Sequence, residues 1–356
     1  MSKNRLLIDS ETNAVMIVWP SMYKETSIWK KLIQTYCELL LLIIRNHNYV
    51  LLITHHDFNP EIYLKNFVKD NKAEMNKIKK YLDIFSYINN DIWIRDYGPY
   101  FLFNGVNITK SLLLNFNGYG EKYAFRKDAA LFTTIMDYIQ KNYLRRPTKY
   151  IKPFGDLVVE GGNICYNKNI YILNKKCLMI NNKNKTWKEI KAYLDNFFLD
   201  CLNKNYYVID IDSLTGDDTN GHIDNMVRIE DNKLMFMSTN DYNHPDKLKL
   251  DKLKKQLICI IENNNLNLQL EMINHSKDDL VTNDENKILP FSYLNYLRVS
   301  NNIIIPINKN TSLEKKINLK NKFEGMNVSY IDATYLLYEY GSIHCCTNNF
   351  IYDKNE

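Results

Sequence analysis

Three features of the sequence predict an α/β fold: β-rich runs alternate with helix-periodic runs, glycines gather where the strand-like runs end, and those ends recur about every 60 residues. The strand-like runs are AVMIVW, YVLLI, DLVVE, YYVID, KLMFM, NIIIPI and NVSYID, short and rich in β-branched and aromatic residues. Between them lie TSIWKKLIQTYCELLLLII, expected to start behind a Thr26 cap, then YAFRKDAALFTTIMDYIQKNYL, TWKEIKAYLDNFF and PDKLKLDKLKKQLICII, each with apolar residues at helical spacing. No Gly/Ser/Pro-rich linker divides the chain, so residues 1–356 read as a single domain. GxGxxG and phosphate-loop signatures are missing, which argues against dehydrogenases and kinases.

Composition narrows the classes further. With 45% hydrophobic and 24% charged residues, the chain is an ordinary globular one that can bury a large core. A net charge of +5, with the two signs interleaved, gives no footprint for nucleic acid. The most basic run, KKCLMINNKNKTWK, reads as a solvated loop leading into a helix. ELLLLII is cut off by Arg45, well short of the roughly 18 to 20 apolar residues a membrane span needs, and the N-terminus lacks a signal-peptide pattern. A soluble, cytoplasmic protein is therefore expected. Seven cysteines (Cys37, Cys165, Cys177, Cys201, Cys259, Cys345 and Cys346), with no CxxC pair and most in apolar runs, read as reduced and buried. His344-Cys345-Cys346 is too close-set for zinc, because adjacent side chains on a strand point apart.

The glycine clusters carry the chemistry. They are DIWIRDYGPYFL, NFNGYGEKY, VVEGGN, GDDTNGHIDNM and GSIHCCTNNF, each pairing a turn with an acid, a histidine or a cysteine at a strand end. Asp96 to Glu160 is 64 residues, Glu160 to His222 is 62, and His222 to Cys345 is 123, about twice that interval. A divergent repeat of this length makes about five units, each presenting one strand end to a common cleft. The segments VWPSMYKETSIW and LPFSYLNYLRVSNNIIIP belong to units with no assigned site residue.

A cysteine needs a base or a depressed pKa to act as a nucleophile, and His222, oriented by Glu160, can supply the proton chemistry. Asp96 and Asp224 add two carboxylates. Such acids would repel the oxyanion of an acyl substrate, so the substrate is a cation. A planar guanidinium, whose fork of N–H donors matches carboxylates, fits best.

These motifs resemble those of the agmatine deiminases, a branch of the peptidylarginine deiminase-like, guanidino-group modifying enzymes. DIWIRDYGPYFL, FNGYGEKY, EGGN, DTNGHIDN and GSIHCCT agree in order and spacing from about Trp19 to Thr347. The resemblance implies the pentein fold, a five-bladed α/β propeller of ββαβ units. It implies Cys345 as nucleophile, His222 as acid/base, Asp96 and Asp224 as guanidinium clamps and Glu160 as the residue orienting the histidine. Agmatine would be hydrolysed to N-carbamoylputrescine and ammonia in putrescine biosynthesis, with no metal or organic cofactor. Cys346 stands where the family usually has an aliphatic residue and reads as a small buried hydrophobe.

Other positions are less specific. Trp93 is expected to stack on substrate or to fill the core, Asp218 to meet the far amine or to cap a turn, and Asn117, with Gly118 and Gly120, to shape a loop lining the pocket. Asp91 and Arg95 are expected to pair as a structural ion pair. His55, His56 and His244 sit in ordinary loop contexts. Tyr119, Glu121, Asn163, Ser342, Asn348, Asn349 and Phe350 depart from the family pattern near the region that sets specificity. The rival within the enzyme class is a peptidylarginine or free arginine deiminase, for which Arg126 would receive a carboxylate. An amidinotransferase and a non-catalytic binding protein of the same fold are the others. The expected partner is a small cationic guanidino compound, with neither nucleic acid nor membrane, and a homo-oligomer is left open.

Overall fold

The computed structural model describes residues 4–24, 26–69 and 71–353. Five sheets repeat one pattern: an antiparallel strand pair, a helical crossover, then a strand parallel to the second of the pair. In the first sheet Ala14–Val18 is followed by the helix Trp29–Arg45 and the parallel strand Tyr49–Thr54, and the C-terminal strand Thr347–Phe350 returns antiparallel to Ala14–Val18. Leu82–Ser86 extends this sheet in parallel. The second unit runs Tyr100–Phe103, Ile108–Leu112, helix Arg126–Asn142 and Lys149–Ile151, and Arg5–Leu6 adds antiparallel to Tyr100–Phe103. Cys165–Tyr166, Ile170–Asn174 and Asn205–Ile209 make the third, around helices Lys175–Asn181 and Trp187–Asp195. Val227–Glu230, Lys233–Ser238, helix Lys247–Asn263 and Gln269–Asn274 make the fourth. Leu297–Val299, Asn302–Ile307, helix Leu313–Lys320 and Asn327–Asp332 make the last. The segment carrying Cys345 and the one carrying Trp19 thus belong to the same unit, joined by the chain's end.

Burial explains why the runs fold as they do. All five residues of Ala14–Val18 are buried, as expected of a strand covered on both faces, and ten of the 17 residues of Trp29–Arg45 are buried against it. Three apolar clusters form, one around Trp19, Tyr36 and Phe132, one around Phe236, Leu253 and Tyr296, and one around Tyr171, Phe197 and Phe198. Among the described residues no helix is long and apolar enough to cross a membrane. All seven cysteines are free, and five are buried, Cys201 and Cys259 being exposed.

Three local expectations fail. KKCLMIN, expected as a solvated loop, forms the helix Lys175–Asn181 with Cys177, Leu178 and Asn181 buried. DLVVE forms no strand beyond a single bridge from Val158 to Asn115. The side chain of Asn182 takes the place of a partner strand there, accepting from Val158 N at 2.9 Å and donating to Val158 O at 2.9 Å. Its alternating burial comes from Leu157 and Val159, both 0% exposed, in a non-strand segment. Thr26 is not a helix cap either. Its hydroxyl turns back to Tyr23 O at 2.7 Å, and the helix begins at Trp29 without a side-chain cap. By contrast, Thr186 and Glu189 form a reciprocal capping box on Trp187–Asp195.

Candidate active site

In every unit the segment just ahead of the antiparallel pair turns a polar side chain toward one cluster. Asp96 lies in the turn Ile94–Tyr97 before Tyr100–Phe103, Glu160 before the turn Gly161–Asn163, and His222 and Asp224 at the turn Ile223–Asn225. Asn295 precedes Leu297–Val299, and Cys345 precedes Thr347–Phe350. The interval near 60 residues is this position repeated, with 73 residues from His222 to Asn295 and 50 from Asn295 to Cys345. Cys345 is 4% exposed and the other five are 0 or 1% exposed.

Two groups of contacts build the site. On one side His222 Nε2 meets Glu160 Oε2 at 2.7 Å, and its Nδ1 lies 3.6 Å from Asp96 Oδ1. Asp96 is held by Gly162 N at 2.8 Å and by the Tyr119 hydroxyl at 2.9 Å, while Asn181 Nδ2 donates to Glu160 at 2.6 Å. On the other side Asp224 Oδ2 lies 3.9 Å from the Cys345 sulfur and accepts from His344 Nδ1 at 2.6 Å. His222 Nδ1 and Asp224 Oδ1 are buried with no hydrogen-bond partner. Buried polar atoms normally find one, so both stand out in the cluster. The second glycine of EGGN has a steric reason: a Cβ at Gly162 would come within 2.4 Å of His222 Nδ1 and 2.8 Å of Asp96 Oδ1.

The electrostatics follow from burial among like charges. Burial opposes charge on His222, but Asp96 and the bonds to Cys177 and Glu160 outweigh it and hold the imidazolium well above the usual histidine value. Burial pushes Asp224 up to about 7, with Asp96 adding to the shift and His222 opposing it. Burial also raises Asp96, against the pull of His222. Burial, Asp224 and Asp96 push the Cys345 thiol well above its ordinary value. His344 is driven the other way, by burial and by Arg228 and Arg95, so a neutral ring donates to Asp224.

A cavity of about 310 Å³ opens onto Cys345 and Asp96, walled by Trp93, Tyr119, Tyr23 and Tyr340. Asp91, Asp218 and Glu339 also line it, and among the described residues no lysine, arginine or histidine does. Burial raises Asp91 to about 6, and burial with Asp91 alongside raises Glu339 to about 7. A second cavity, about 350 Å³, reaches Asp224 and His344 from the opposite side, between Arg95, Arg228 and Arg298.

The remaining motif residues fall as follows. Trp93 lines the cavity at 5% exposure, and its ring lies where a Cβ of Gly341 would be, at 2.4 Å. Asp218 lines the cavity but is engaged by Lys122 at 3.0 Å and by the Tyr123 hydroxyl. The amide of Asn117 caps its own loop, taking Gly120 N at 3.0 Å and giving to Asn181 O at 3.0 Å. Arg126 is exposed and stands apart from the cavity lining. The expected Asp91–Arg95 pair does not form. The segment is a helical turn and not a strand, so Arg95 reaches His344 O and Asn349 Oδ1 while Asp91 accepts from Tyr23. Asn349 also donates to Arg298 O at 2.7 Å and Asn163 braces Asn174, so two of the departures from the family pattern are structural locks. Among the described residues, Glu160, Cys177 and His222 lie close enough together to hold an ion, as do His55, His56 and the exposed Asp57.

A family model for Porphyromonas-type peptidyl-arginine deiminases matches residues 9–350. The chain belongs to this family. Within it, a protein provisionally named agmatine deiminase from Legionella pneumophila is 26% identical over 302 residues, covering 82% of this chain and 81% of its own. A C. jejuni agmatine deiminase solved with substrate bound superposes with a TM-score of 0.77 at 21% identity, covering 98% of this chain and 97% of that one. The agmatine deiminase of Enterococcus faecalis gives 0.75 at 16% identity, over 98% and 95% of the two chains. The fold is therefore the α/β pentein fold of these deiminases.

Asn295, Tyr119, His344, Cys177 and Asn181 were not legible as members of this cluster. For Asn295 a coarse signal existed, since LPFSYLN lies in the unit between His222 and Cys345, although a 62-residue step from His222 falls at 284, short of it. An amide among apolar residues, however, does not announce chemistry as an acid, histidine or cysteine does.

Proposed function

We propose that this protein hydrolyses agmatine to N-carbamoylputrescine and ammonia through a covalent adduct on Cys345, a step toward putrescine. The observation that carries the reading is a buried thiol facing two carboxylates and a proton-bearing histidine, in a cavity with acids and, among the described residues, no basic side chain. The names of the relatives point the same way. The guanidinium sits between Asp96 and Asp224, with Trp93 along its path. Cys345 sulfur attacks the central carbon and the C–S bond forms. His222 Nδ1 gives its proton to the departing nitrogen and is left neutral, the C–N bond breaks, and the thiol proton leaves with the ammonia, which departs as ammonium. Water then adds to the thiouronium carbon, the neutral His222 Nδ1 takes one of its protons, the C–S bond breaks as the other returns to the sulfur, and the urea-type product leaves. Glu160 keeps Nε2 occupied, so that Nδ1 alone shuttles the proton.

The five units support one catalytic body over residues 1–356, arranged as the blades of an α/β propeller with the site at its centre. Free cysteines suit a reducing, cytoplasmic setting. A free arginine would carry a carboxylate into the acidic cavity, where Asp91 and Glu339 repel it. The test is ammonia release from agmatine, arginine and a peptide with C-terminal arginine, beside Cys345→Ala. Activity on agmatine alone, lost in the variant, is expected. Faster release from the peptide overturns the substrate, and release that survives in the variant overturns the nucleophile.

A further inference from the structure

The repeat leaves one unit without a chemical role, the one led by LPFSYLN, and its strand-end residue is Asn295, 0% exposed. Its amide makes five contacts, none to its own unit's strands, and one of them is the Cys345 thiol donating to Oδ1 at 3.5 Å. Oδ1 accepts from the backbone nitrogens of His344 at 3.0 Å and Cys345 at 3.3 Å. Nδ2 donates to Asn225 Oδ1 at 2.9 Å and to the Cys345 sulfur at 3.2 Å. The orientation is fixed by chemistry: two backbone N–H donors can be met only by the amide oxygen, so the nitrogen faces the sulfur. Asn225 holds it there.

We infer that Asn295 is a positioning residue for the nucleophile, fixing the Cys345 loop through its oxygen and steadying the sulfur's negative charge through its nitrogen. The groups around that sulfur divide. Asp224 and Asp96 disfavour a thiolate, whereas the His222 imidazolium and the Asn295 N–H favour it. A neutral donor is the useful choice at this point. A lysine or arginine would compete with the cationic substrate for Asp96 and Asp224, and a carboxylate would add to the repulsion. All five units then contribute to the site. The inference rests on Cys345 being the nucleophile, but its readout does not require turnover.

Asn295→Asp keeps an oxygen for both backbone nitrogens and replaces the donor, but its charge raises the thiol as well, so the neutral Asn225→Ala decides whether the donor itself matters. Iodoacetamide modification of Cys345 is followed against pH in a Cys346→Ala background. The modified peptide is resolved by mass, because exposed Cys201 and Cys259 react independently. The expected result is a midpoint raised by about one unit or more, with kcat lowered about 100-fold, as for loss of a preorganised donor, and KM nearly unchanged. Asn225→Ala, which only frees the amide nitrogen, is expected to shift the midpoint in the same direction by less. An unmoved midpoint in Asn225→Ala overturns the inference, whether or not Asn295→Asp folds. An unmoved midpoint in a folded Asn295→Asp also overturns it, even if activity falls, because that would be a structural role alone. A midpoint shifted in Asn225→Ala, in a protein inactive on every guanidine, upholds it and sinks the substrate reading instead.

Discussion

Cys345 and Cys346 are neighbours in the chain and opposites in their surroundings. The Cys346 sulfur turns inward, 3.4 Å from Ile343 O, at 0% exposure within the apolar cluster that also holds Tyr36. Burial lifts its thiol to about 12, against smaller lowering pulls from the Tyr36 hydroxyl and from Arg95. Cys345 is also lifted by burial, and further by Asp224 and Asp96, so burial does not by itself set the two thiols apart. The difference is a place for a cation. A guanidinium about 4 Å away at an effective dielectric near 20 favours the thiolate by about 4 kcal/mol, roughly three pKa units. In the proposed mechanism the acids that suppress the thiol also bring the cation to it, so the nucleophile would be armed by its own substrate. Reactivity here is a property of the facing wall and not of the thiol.

The comparison can be broken most directly by removing each sulfur in turn. Cys345→Ala should lower kcat on the order of a million-fold with melting unchanged within a few degrees. Cys346→Ala should leave kcat within about twofold and cost about 1 kcal/mol of stability, read from urea unfolding. Comparable losses of activity would mean that the two faces are not distinct.

Next in size is Asp224→Asn. Loss of one clamp should reduce kcat/KM for agmatine about 30-fold or more, matching 2 kcal/mol or above for a truncated buried charge pair. The same variant should melt higher than the wild type at pH 8. The sign follows from linkage: a carboxyl raised from 3.8 to about 7 by folding costs stability once pH passes its unfolded value, and the amide escapes that cost. An unchanged or lower melting temperature would mean that Asp224 is not strained by its surroundings.

The pH profile sharpens the same point with no mutation. Agmatine must meet Asp224 as a carboxylate, so kcat/KM should fall as pH drops below about 7, by close to tenfold per unit. The alkaline limb should lie well above the ordinary histidine range, because His222 must hold its proton. Glu339→Gln is the smallest effect expected. KM for agmatine should rise roughly fivefold, the 1 kcal/mol of a partly exposed ion pair, with little change for a guanidine bearing a neutral tail.

Much of this was legible in the sequence because the fold repeats. Strand ends carrying glycine, acid, histidine and cysteine at a steady interval gave the α/β class and brought Asp96, Glu160, His222, Asp224 and Cys345 into one cluster. What escaped was the work of side-chain amides. Asn182 stands in for a strand beside Val158, Asn117 serves its own loop, Asn349 anchors Arg95, and Asn295 meets the nucleophile. In a chain this rich in asparagine, residue type alone cannot separate these roles, because an amide donates and accepts equally well in a loop, a lock or a site. The Asp91–Arg95 pairing failed for a different reason: alternation of faces was assumed for a strand where the backbone makes a helical turn.

The most direct test of the central claim is to quench the wild-type protein in mid-turnover with agmatine and map the covalent adduct by tandem mass spectrometry. The account predicts agmatine less ammonia attached to Cys345, and absent from Cys346. An adduct on Cys346, or steady turnover with no adduct on any cysteine, would contradict it.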